Sequence, residues 1–146
     1  MAELSLMSQA IFYLILILMS LYMVPLCYWQ VSVLRGKAMN NTDGTVDDWH
    51  QQKTHYGIAF ADIFVACPVN ILGIALLILA PRWGYYLLAL LSFWWVWANV
   101  MTTATSLRFE KPNITLSWIV AFPAGAIIGL TYILWTMIHF ETIYKL

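Results

Sequence analysis

Charge is what this chain has least of: 10% of its 146 residues are Asp, Glu, Lys or Arg and 62% are hydrophobic, whereas soluble domains carry roughly 25% charged residues. With a mean hydropathy of +0.77, that composition excludes a soluble globular domain and implies an integral membrane protein. Seven basic residues are balanced by seven acidic ones. No basic stripe is left to displace counterions from a phosphate backbone, so a nucleic-acid partner is excluded. Cysteine is nearly as scarce. Cys27 and Cys67 form no CxxC, which rules out a zinc knuckle, gives a redox relay no support, and leaves both as small buried hydrophobes. No inverted repeat is found. Asp47, Asp48, His50 and His55 fall within nine positions but match no metal template, and read instead as a solvated interfacial segment; neither metal nor cofactor is expected. His139 lies at the far end of the chain's last apolar stretch, across the membrane from His55, so the two cannot ligate one haem.

What the chain has in abundance is apolar length. Four stretches, about residues 10–34, 56–80, 85–107 and 114–140, are each long enough to cross a hydrocarbon core of about 30 Å. The expected fold is therefore all-α, a single domain over 1–146 forming an antiparallel bundle of four transmembrane helices. Glu3 precedes the first stretch and no Lys or Arg does, so it reads as a retained helix rather than a signal peptide. Pro25 and Pro123 are expected to kink the first and last helices. Pro81-Arg82-Trp83-Gly84 is so tight a connection that its flanking helices must be antiparallel neighbours. Arg35, Lys37, Lys53, Arg108 and Lys111 lie on the two longer loops, against Arg82 and Lys145 on the other side. The positive-inside bias then places those loops in the cytoplasm and both termini outside. Asn40 and Asn113 begin glycosylation sequons. The expected location is an inner membrane in a bacterium or an endomembrane in a eukaryote.

Asp62 is a carboxylate within the second stretch, and a charged group at bilayer depth faces protein or water and marks a functional site. Counting helical rise from the nearest loops puts Asp62 and Asn99 level, about 13 Å from the same interface. Cys27, Tyr28 and residues 120–123 fall at a similar depth. Helical periodicity places His55, Ala59, Ala66 and Gly73 on the Asp62 face, and Ser92, Thr103 and Ser106 on the Asn99 face, with Trp94 and Trp97 turned away. The expectation is a polar pocket in one leaflet. Asp62 and His55 are the candidate catalytic residues, Asn99 and Thr103 would orient a ligand, and Trp95 and Tyr28 would stack on it. The plainer reading has Asp62 protonated and bonded to Asn99 or Tyr28 as interhelical glue. Ala121, Gly125 and Gly129 form a small-residue stripe suited to a second copy of the chain.

Pro25, Asp62 followed by Pro68, Arg82-Trp83 at a tight turn and Met101-Thr102-Thr103 together resemble the four-helix domain shared by emopamil-binding sterol isomerases and sigma-receptor-like membrane proteins. The resemblance implies a membrane pocket in which the second-helix acid, here Asp62, meets a sterol-like, isoprenoid or cationic amphiphilic ligand, with isomerase chemistry as an expected activity. Where that family carries another acidic residue near the end of its first helix, this chain has Gln30 and Val31. His55 is then the only titratable helper, and moving a double bond needs both a proton donor and a proton acceptor. The residues admit two further functions. One is a dimeric proton-coupled small transporter, in which Asp62 exchanges a proton for a cationic substrate. The other is an accessory subunit that packs its aromatic-rich surface on a larger membrane complex.

Overall fold

A computed structural model describes residues 4–37, 49–110 and 112–144, and these are helical with no strand among them. Asp47, Asp48, the Asn40 sequon, Lys111 and Lys145 lie outside the described residues, as does the side chain of His50. Helix α1, Leu6–Leu34, is started by Ser5, whose hydroxyl accepts from the Ser8 N–H at 3.2 Å, a side-chain cap for an otherwise orphaned donor. Pro25 sits inside α1 without dividing it. The helix stops at Gly36, whose φ of 80° is the left-handed conformation that glycine adopts without steric cost.

The second rod has three parts: α2, Trp49–Ala61; a π-helical turn, Asp62–Ala66; and α3, Cys67–Leu79. Pro68 explains the wide turn. It has no N–H to offer the Phe64 carbonyl and its ring crowds that oxygen, so the chain widens and the Cys67 N–H bonds to the Asp62 carbonyl instead. Ala80 alone joins α3 to α4, Pro81–Thr105, and Pro81 suits the first helical position because its missing N–H would be unpaired there anyway. A second π turn, Ser106–Glu110, follows α4.

Pro123 acts more drastically than a kink. It divides the last apolar stretch into α5, Leu116–Ala121, and α6, Ala124–Ile138, before the short α7, Phe140–Ile143. Among the described residues, three helices are long and apolar enough to cross a membrane: Leu6–Leu34, Gln52–Leu79 and Pro81–Phe109, while Ala124–Ile138 is a shorter apolar helix. Leu21, Val24, Ile71, Phe93 and Ile127 point outward. This is the helical, apolar-surfaced architecture of a membrane-embedded protein.

Helix α4 sits between α3 and α6. Glycines set the distance on both sides. A Cβ at Gly84 would stand 2.5 Å from the Leu77 nitrogen, and one at Gly129 would stand 2.5 Å from the Ser92 carbonyl oxygen. Gly125 likewise lies against the Asn99 side chain. Gly125 and Gly129 of the small-residue stripe therefore pack on α4 of the same chain, and the close approach they permit is used within the bundle. Toward the opposite end, Phe12, Tyr85, Tyr132 and Trp135 form a ring cluster, with Phe12 and Trp135 stacked at 4.5 Å between centroids.

Candidate functional site

His55, Ala59, Asp62, Ala66 and Gly73 are all buried, so the α2–α3 rod turns its small-residue face inward and carries the carboxylate with it. Asp62 opens the π turn and is 3% exposed. Its Oδ2 accepts from Gln30 Nε2 at 2.7 Å and its Oδ1 accepts from Trp94 Nε1 at 2.8 Å. Three rods thus converge on one carboxyl group, and both partners are neutral donors. A buried polar group without such partners would cost several kcal/mol.

A cavity of about 50 Å³ adjoins this group, and Gln30, His55, Asp62, Asn99, Thr102 and Phe122 contribute to its wall. That space holds a few water-sized groups, since about 10–15 Å³ of such volume accommodates one water. His55 is buried and seven residues before Asp62, about 10 Å along the helix axis, and both line the cavity. No group of three or more His, Cys, Asp or Glu among the described residues is placed to hold a metal ion.

The structure divides the residues expected at the site. Asp62, His55 and Asn99 line the cavity. Asn99 is engaged at both amide atoms: its Oδ1 accepts from the Tyr22 hydroxyl at 2.9 Å and its Nδ2 donates to the Trp95 carbonyl at 2.9 Å. The Asn99 amide thus bonds α1 and its own helix and packs on Gly125 of α6, and it does not bond Asp62 although both line the cavity. Trp95, only 1% exposed, packs edge-on against Tyr22 in the core. Thr103 Oγ1 is buried with no hydrogen-bond partner among the described residues. Tyr28 is 73% exposed, because its turn of α1 presents Leu26, Trp29 and Gln30 to the cavity. Trp95, Thr103 and Tyr28 are thus not in the cavity wall.

Gln30 and Trp94 were not among the expected site residues. Periodicity turns Trp94 away from the Asn99 seam, and the Asp62 carboxylate meets that other face of α4 from the π turn, with Gln30 of α1 on its second oxygen. An indole N–H on a part-buried ring needs an acceptor, and that requirement was the one signal pointing from Trp94 to Asp62. A second hollow, about 590 Å³ and mainly apolar, runs between α4 and α6 near Arg82, Tyr86, Met137 and Tyr144, at the other end of α4. No protein-family model, curated protein or solved structure matches this chain.

Proposed function

We propose that this protein binds a lipophilic small molecule, sterol-like, isoprenoid or a cationic amphiphile, by its polar head at Asp62. The supporting observation is a buried carboxyl group whose partners are the neutral donors Gln30 and Trp94, opening on a cavity of about 50 Å³. That volume admits a hydroxyl or an ammonium head, not a drug-sized body, which needs about 300 Å³ or more. The apolar part of the ligand then lies between the helices and the surrounding lipid. A cationic or hydroxyl head supplies the third donor to an acid that has only neutral partners, in a medium where unpaired charge is costly. Asn99, held by Tyr22, gives the opposite wall a fixed shape.

In this reading α1, the α2–α3 rod, α4 and the broken α5–α6 segment cross the bilayer as four antiparallel spans. The cavity lies in the leaflet beside the α1–α2 and α4–α5 connections. Isomerase chemistry would use Asp62 and His55 as the proton-exchanging pair, bridged across the cavity by ligand or water. Native mass spectrometry of the detergent-purified protein and its Asp62→Asn variant tests the binding. A lipophilic adduct on the wild type that is lost in the variant is the expected result; an adduct retained by the variant, or absent from both proteins, rejects this reading.

Proton-coupled carriage is the second reading, favoured by two titratable groups, His55 and Asp62, on one small cavity. It requires proton-gradient-dependent flux of a cationic substrate in vesicles, abolished by Asp62→Asn. Because Gly125 and Gly129 are occupied by α4, a dimeric carrier would have to associate through another face.

A further inference from the structure

Helix α1 meets the π turn along a short ladder of side chains. Gln30 contacts Asp62 at the top; one turn below, Cys27 Sγ lies 2.8 Å from Cys67 Sγ; below that, Met23 Sδ lies 3.3 Å from Cys67 Sγ. Forty residues separate the cysteines in the chain, so no spacing rule pairs them. Pro68 brings them together indirectly: the wide turn it imposes bonds the Cys67 N–H to the Asp62 carbonyl, which hangs the thiol from the same turn as the carboxylate. Both thiols are free. A disulfide has an S–S bond of about 2.05 Å, so an approach of about 0.8 Å would join them. Cys27 is half-buried and Cys67 is buried, which makes Cys27 the sulfur an oxidant reaches first.

We propose that Cys27 and Cys67 form a reversible disulfide site that fastens α1 to the π turn and holds the Asp62 cavity closed. The fastening acts on the cavity because Gln30, one turn above Cys27, supplies part of its wall. The oxidant is a bilayer-soluble quinone. The Cys27 sulfur adds to the quinone ring, and the Cys67 sulfur then attacks the Cys27 sulfur. The ring leaves with the carbon–sulfur bonding pair, as hydroquinone. Two S–H bonds are lost and one S–S bond is made, and both protons and both electrons end on the quinone. A dithiol reductant reverses the step. The proposal does not depend on which molecule the cavity binds.

The test uses the full-length protein in detergent, treated with a short-chain benzoquinone and analysed by intact mass, with dithiothreitol-reduced protein as reference. The wild type is expected to lose about 2 Da as a monomer and to regain it with dithiothreitol, while Cys27→Ser and Cys67→Ser never show that loss. Dicyclohexylcarbodiimide, an apolar carboxyl reagent, is expected to label Asp62 several-fold more slowly in oxidised than in reduced wild type. The Cys27→Ser/Cys67→Ser protein should label at one rate under both conditions. An unchanged wild-type mass, a stable quinone adduct, disulfide-linked dimers, or equal labelling of oxidised and reduced wild type would each overturn the proposal.

Discussion

The two ends of α4 satisfy their buried polar atoms in different ways. At its start, Tyr132 donates to the Tyr85 carbonyl at 3.2 Å and Trp135 donates to the Ser8 carbonyl at 3.1 Å, within the ring cluster around Phe12. Toward its other end, side chains answer side chains: Gln30 and Trp94 to Asp62, and Tyr22 to Asn99. A backbone carbonyl is present whatever the residue, so the first end depends on ring shape and little on chemical identity. The second end depends on side-chain identity at both members of each of these pairs. The first is scaffold and the second is site: a change at the former should cost folding, and a change at the latter should alter chemistry while the helices stay in place.

The largest effect is expected from Trp135→Ala, which empties the ring cluster. Loss of a core aromatic costs about 3–5 kcal/mol, so the unfolding midpoint in detergent should fall by about 10 °C or more, with any Asp62-dependent adduct retained on the folded fraction. Next comes Asp62→Leu, which leaves the Gln30 and Trp94 donors without their acceptor at about 1–3 kcal/mol; adduct binding should disappear with a midpoint drop smaller than that of Trp135→Ala. If the ranking were reversed, Asp62 would belong to the scaffold. Trp94→Phe keeps an aromatic but smaller ring and removes one donor to Asp62, and is expected to cost about 1 kcal/mol or somewhat more while weakening adduct binding in the same mass measurement. Smallest of all, Tyr28→Phe and Thr103→Val should each move the midpoint by less than about 0.5 kcal/mol equivalent and leave binding unchanged. A loss of binding in Tyr28→Phe would extend the site onto the outer surface of α1.

The positions of the apolar stretches and the shared level of Asp62 and Asn99, which line one cavity, were legible in the sequence, because both follow from rise per residue and from where charge is tolerated. The buried rows through Asp62 and through Ser92, Asn99 and Ser106 were legible too, since 3.6-residue periodicity fixes which residues share a face. How each helix is rotated against its neighbours was not. Periodicity says that Trp94 and Asn99 diverge, but not which of them meets Asp62. The small-residue stripe shows the same limit. Gly125 and Gly129 announce a close helix contact, yet spacing cannot distinguish a neighbour in the same chain from a second copy. Pro123 was legible as a disturbance and not as a break, because a proline's effect depends on whether the surrounding packing holds the two halves in line. The thiol pair escaped notice because its members come from separate helices.

Along the second rod the buried positions step through His55, Ile58 and Ala59, and Asp62, then Ala66 and Cys67, Asn70 and Gly73. The stride from Asp62 to the Ala66–Cys67 pair is the long one, as though a single residue had been inserted into an ordinary helix. Were Pro68 absent and the turn tightened to 3.6 residues per turn, the five-residue step from Asp62 to Cys67 would set the two about 140° apart around the rod. The carboxylate, the thiol pair and the cavity would then no longer face α1 together. Possession of the site, as distinct from the fold that houses it, can turn on one codon.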